Sequence, residues 1–149
     1  MEFDFVKEWF ERGNNEKNDI YRFFCYFIAF NWLYNHQSEK EEHMRIISYI
    51  GQLEKETDIF SNFDSRSLQS ANVKDERNGR VKRYIEEESN PLISSFLNIY
   101  QVRCNLFHGS KSMRVPRNEK LIQNSCTVLK EFLERRIQHG IPKDFVGGN

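Results

Sequence analysis

The sequence has no C-x-x-C pair: its three cysteines, Cys25, Cys104 and Cys126, are odd in number and far apart. That pattern argues against a disulfide framework or a zinc knuckle and leads us to expect a reducing, cytoplasmic setting. An excess of either charge is also lacking, because 22 Lys and Arg residues balance 22 Asp and Glu. With no global field to draw in nucleic acid, any such site must be a local patch. The longest apolar run, residues 23–30, is too short to cross a bilayer. The opening MEFDFVKEWF lacks the basic, apolar and small-residue regions of a signal peptide, so a soluble protein is expected. Also missing are a Gly-rich phosphate loop, a G-x-S-x-G elbow, a Cys/His ligand cluster, the alternating strands of a Rossmann unit and any internal repeat. Neither a metal nor a cofactor is expected.

What is present is helical periodicity. A chain of 149 residues suits one domain with a substantial core. The expected fold is all-α, an up-and-down bundle of four to five helices near residues 2–12, 19–36, 39–54, 91–108 and 119–138. Phe3, Val6, Trp9 and Phe10 recur at helical spacing, with Arg12 and Gly13 supplying a basic last turn and a left-handed stop. The stretch 19–36 is apolar on almost every side and should be the central helix, with Asn31 as its polar exception. Ser38 and Glu41 form a capping box for the third helix. Glu39, Glu41, Glu42 and His43 are not spaced as metal ligands and suit a solvated acidic first turn. Between 64 and 90 apolar density collapses, and a mobile charged loop is expected, with at most a short helix near 79–88. Within it Lys74, Arg77, Arg80, Lys82 and Arg83 face only Asp75 and Glu76, which suits either an RNA-contacting flap or a solvated linker. Pro116 should bar helix continuation and Asn118 should cap the last helix, leaving 141–149 as a loose tail.

The most informative stretch is YQVRCNLFHGSK, residues 100–111. Asn90 as cap and Pro91 as first residue open a helix that Gly109 can close, so this stretch falls in the last turns. At ~100° per residue, Leu92, Phe96, Ile99, Tyr100, Leu106 and Phe107 share a face that Arg103 interrupts and His108 borders. An arginine there needs an anion, a carbonyl or a wet crevice. Pairing with a carboxylate elsewhere would make it purely structural.

Arginine, four residues and histidine, here R-C-N-L-F-H over 103–108, resembles the motif of the HEPN family (higher eukaryotes and prokaryotes nucleotide-binding). FIAFNWLYN, residues 27–35, resembles the second helix of bacterial HEPN proteins, and the likeness covers most of residues 18–138. Two departures stand out: Cys104 follows the arginine where a polar residue is frequent, and Ser110 stands where one toxin subgroup has tyrosine. The resemblance implies a metal-independent endoribonuclease of the toxin or phage-defence type. It also implies a homodimer whose two motifs meet in one cleft and, as further partners, RNA and a cognate antitoxin or defence protein. Arg103 and His108 would be catalytic, and Asn31 and Tyr100 would support the motif from behind. From Arg103 to Arg117 the chain carries four cations, Arg103, Lys111, Arg114 and Arg117, and no acid, so the last three, with Asn105, are the candidates to hold substrate.

The residues themselves suit this chemistry. A 2′-hydroxyl of RNA attacks its own phosphate, so the protein has only to move protons and to neutralise growing charge. His suits the first task and Arg the second. A HEPN module that binds RNA, a nucleotide or a partner without cleaving it stays open. So does an all-helical interaction protein in which both residues are structural.

Overall fold

The computed structural model describes residues 3–108 and 116–139, with the side chains of residues 116 and 117 excepted. Its described residues form a helical bundle: α1 (Asp4–Asn15), α2 (Asp19–Tyr34), α3 (Glu42–Glu56), one-turn α4 (Arg66–Gln69), β1 (Lys74–Asp75), β2 (Arg80–Val81), one-turn α5 (Arg83–Glu86), α6 (Pro91–Phe107) and α7 (Pro116–Gln138). The all-α architecture is the expected one, and none of the described helices is long and apolar enough to cross a membrane.

Two caps behave as their residue types dictate. Asn18 accepts hydrogen bonds from the backbone N–H groups of Ile20 and Tyr21, and Asn90 from those of Leu92 and Ile93, with Pro91 in the first turn of α6. Other boundaries differ from expectation. Gly13 does not stop α1 but lies inside it, where a Cβ would collide with the ring of Tyr26. The residue is glycine because an aromatic ring lies against its backbone, not because the chain turns there. The Ser38 capping box does not form: α3 begins at Glu42, with Glu41 as an N-cap whose side chain makes no capping hydrogen bond. α7 begins at Pro116, as proline can at a first helical position, so Asn118, expected as its cap, lies within that helix.

The core is aromatic. Phe30 of α2, Phe96 of α6 and Phe132 of α7 are fully buried and meet with ring centroids 5.3–5.7 Å apart. Phe60 stacks on Phe132, and Tyr49 meets its edge. α6 is central as well as α2, because eleven of its seventeen residues are buried.

The segment expected as a loose charged loop is instead built into the fold. Leu68, Val73 and Ile85 join the core, and Ser65 and Asp75 are buried beside them. A polar stripe on α6 receives the segment's backbone. Ser95 Oγ donates to Ser65, Ser94 Oγ donates to the carbonyl of Gln69, and Asn98 bonds the carbonyl of Leu68 and the N–H of Val73. Fixed side-chain partners take the place of long strands, since the ribbon of β1 and β2 pairs only Lys74 with Val81 and Asp75 with Arg80. Its turn uses Asn78 and Gly79, and Gly79 sits at φ +71°, where glycine is unstrained.

Candidate functional site

Arg103 lies on the penultimate turn of α6, where the apolar face meets α2 and α3. Its guanidinium carbon is 4.5 Å from the ring centre of Phe107, 5.6 Å from that of Phe27 and 5.8 Å from that of Tyr100. Rings on several sides attract the cation through their quadrupoles and fix its position. The nearest acid is Glu42, with Oε1 3.6 Å from Arg103 Nη1, too long for a hydrogen bond. Among the described residues the five N–H donors of Arg103 make no hydrogen bond, and its buried Nε is unpartnered. The side chain nevertheless keeps 24% of its surface in solvent. It is held in place, yet its donors are unspent.

Glu42 organises what lies behind it. Its Oε2 accepts from Tyr34 Oη at 2.5 Å and from Asn31 Nδ2 at 3.0 Å, and its Oε1 accepts from Tyr100 Oη at 3.2 Å. Asn31 also donates to Tyr34 Oη at 2.9 Å. Burial, and then the bond to Glu42, pushes the Tyr34 phenol well above its ordinary pKa; burial chiefly, with Cys104 and Glu42 nearby, does the same for Tyr100. Both phenols therefore stay protonated and donate. Glu42 is thus not the solvated first-turn acid expected from its neighbours, since only 20% of its side chain is exposed.

Of the residues singled out by sequence, Arg103, Tyr100 and Asn31 come together around Glu42. His108 is the exposed C-cap of α6, its N–H bonded to the carbonyl of Cys104. It stands five positions after Arg103, which turns it ~140° around the helix axis. Phe107 lies between them in sequence, 62% exposed, packed on Phe24 and over Arg103. Asn105 points elsewhere. It is buried, accepts from the N–H of Glu76 and from Gln101 Nε2, and donates to the carbonyl of Lys74. Its amide is spent on the hairpin and not displayed to a substrate. Lys111, Arg114 and Gly109 lie outside the described residues; Arg117 is in the first turn of α7, and its side chain lies outside them too.

Glu42 and Tyr34 were not singled out by the sequence. The signal for Tyr34 was its place one turn after Asn31 on α2, which puts both polar tips on one side. Nothing local distinguished Glu42 from Glu39 and Glu41, since only the packing of α3 against α6 selects it. Among the described residues no group of three or more His, Cys, Asp or Glu side chains is placed to hold a metal. Comparisons with protein-family models, with curated proteins and with solved structures return no match.

Proposed function

We propose that this chain is a HEPN-type endoribonuclease of the cytoplasm that cleaves RNA without a metal, as a homodimer whose two motifs share a cleft. Its toxin or phage-defence role, and an antitoxin or defence protein as partner, belong to the same proposal. The observation that carries it is Arg103, a half-buried guanidinium fixed by aromatic rings whose donors make no hydrogen bond among the described residues. Arg135, by contrast, spends its donors on the carbonyls of Ile59 and Ser61 and on Glu131.

In this scheme the 2′-hydroxyl loses its proton to one histidine and forms a new O–P bond. The 5′-oxygen leaves with a proton supplied by a second histidine, and a 2′,3′-cyclic phosphate remains. A single His108 cannot be base and acid in the same step, which is what a second copy supplies. Arg103 donates to the non-bridging oxygens as charge grows on them. Glu42, with Tyr34, Asn31 and Tyr100, positions the arginine. Lys111, Arg114 and Arg117 bind the flanking phosphates.

A second reading, a HEPN module that binds RNA, a nucleotide or a partner without cleaving, is favoured by one contact. Glu42 faces the same guanidinium that a phosphate would occupy.

The test is incubation of purified protein with structureless RNA in the presence of a chelator. Cleavage is expected, and His108→Ala and Arg103→Ala should each lower turnover by ~10²–10³ while leaving fold and most RNA affinity intact. Cleavage that survives His108→Ala overturns the mechanism. Wild-type protein that binds RNA but never cuts it establishes the second reading. Light scattering should give a dimer at micromolar concentration, and a monomer overturns the shared cleft.

A further inference from the structure

We infer that the outer face of α2 is the seam on which two copies of this chain pair, with those helices antiparallel. The assignment rests on the ribonuclease reading above and names the surface its shared cleft requires. From residue 23 to residue 35 no side chain is charged, in a chain that is 30% charged. One side of that run fills the core, and the other faces outward. At ~100° per residue Tyr21, Phe24, Cys25, Asn31, Trp32 and Asn35 all project within ~60° of Ile28, and each of the seven is exposed or half-buried. Phe5 of α1 stacks on Trp32 at one edge, with ring centroids 6.2 Å apart, and Phe107 of α6 meets Phe24 at the other, 5.3 Å apart. Phe5, Tyr21 and Phe107 are three of the four large hydrophobic side chains left exposed among the described residues; the fourth, Met44, is on α3. A contiguous apolar surface of this kind marks an interface.

What covers this face is another like it. A partner presenting charged groups there would strip them of water with nothing opposite to pair them. The exposed residues of α1, α3 and α7 include Lys7, Glu11, Glu54, Lys55, Lys130 and Glu134, so among the described helix faces the match for α2 is α2 itself. The face is also complementary to its own copy. An antiparallel two-fold at Ile28 sets that residue on itself, brings Phe24 level with Trp32 and brings Tyr21 level with Asn35. Aliphatic then meets aliphatic, ring lies beside ring and hydroxyl beside amide. Such an axis lies in the seam, perpendicular to both helices, so a group on one flank of α2 stays on that flank in the second copy. Arg103 lies on the flank of Phe24 and Phe27, since Phe107 packs both on Phe24 and over the guanidinium. Both guanidiniums therefore open on the same side of the seam, as a shared cleft needs. A parallel pair would send them to opposite sides.

The experiment is sedimentation of the whole chain at micromolar concentration, with melting curves to establish folding and structureless RNA to read cleavage. The unsubstituted protein should be a dimer. Ile28→Glu should weaken self-association by at least ~10²-fold, because the carboxylates of two copies would meet in the seam. Met44→Glu, an equal charge change at the exposed residue of α3, should not. Should Ile28→Glu fail to fold, crosslinking in a Cys25→Ser background decides: oxidation should link Ile28→Cys into a covalent dimer and leave Met44→Cys unlinked, because a residue on the axis meets its own copy. Tyr21→Cys and Asn35→Cys proteins should link when mixed and not singly; the converse denotes a parallel pair and overturns the arrangement. Cleavage by the unsubstituted protein, together with a dimer that Ile28→Glu leaves intact, overturns the seam and leaves the ribonuclease reading standing. A dimer that depends on Ile28 and never cuts RNA keeps the seam and overturns that reading. An unsubstituted monomer overturns the seam, and loss of its RNA binding in Ile28→Glu would assign the face to RNA instead.

Discussion

Arg103 and Arg136 both sit against aromatic rings with unpartnered donors, and they differ in whether water reaches those donors. Arg136, on the last turns of α7, is fully buried; its Nε donates to Tyr49 Oη at 2.8 Å, and its guanidinium carbon lies 5.0 Å from the ring centre of Phe3. Its two terminal nitrogens have no partner among the described residues and no surface in water. Burial accordingly lowers its pKa, with Tyr49 opposing. Arg103 has rings, a loosely placed acid and an opening to solvent. Burial of a guanidinium is thus not what marks a site. A fixed cation with water on one side and unspent donors is available to a ligand, whereas an enclosed one is part of the packing.

The largest effect that sharpens this contrast is Arg136→Ala. It removes the largest fully buried side chain and leaves Tyr49 without its donor, so stability in urea should fall by about 3 kcal/mol. Arg136→Met should recover most of that loss by refilling the space without a charge to bury. Turnover per folded molecule should not change with either. If Arg136→Ala lowers turnover in protein shown to be folded, the division between the two arginines fails.

Glu42→Ala comes next, at about 2 kcal/mol, because Tyr34, Asn31 and Tyr100 lose their acceptor at once. The same change frees Arg103 from its only nearby acid among the described residues, so RNA affinity should rise or hold while turnover falls through misplacement of the arginine. Loss of stability with turnover untouched would show that the carboxyl supports only the fold.

The smallest expected effect is Tyr49→Phe, about 1 kcal/mol near neutral pH for the missing bond to Arg136. Its pH dependence is more telling. Burial pushes the Tyr49 phenol up to about 12, although Arg136 pulls it down. A folded-state pKa above the unfolded value of ~10 gives stability that is complete below pH ~10 and is lost between there and about 12. Tyr49→Phe should flatten that part of the alkaline decline. Denaturation curves at stepped pH would reveal an unaltered decline if the assignment is wrong.

The helical bundle was legible because it rests on local rules. Periodic apolar residues, Asn90 as cap and Pro91 in the first turn act within one or two turns, and each falls where the chain alone placed it. Segment 64–90 was not legible for a reason that Asn98 and Asn105 make plain. Its stability comes from buried amides about 30 residues further along the chain. In the sequence those residues read as polar interruptions of an apolar helix. Ser95, Asn98, Gln101 and Asn105, spaced three and four apart, with Ser94 beside the first, were the visible trace of a face built to receive backbone.

By itself, then, the sequence determined the helical class, most helix positions and the prominence of Arg103 and His108, since periodicity, capping and motif spacing are properties of neighbouring residues. Only the tertiary structure decided that Glu42, and not Glu39 or Glu41, gathers Asn31, Tyr34 and Tyr100, and that Asn105 serves the hairpin. It also decided that Arg136 is enclosed while Arg103 keeps an edge in water. The physical reason is one of range: hydrogen bonding and desolvation of a side chain depend on which distant element lies against it.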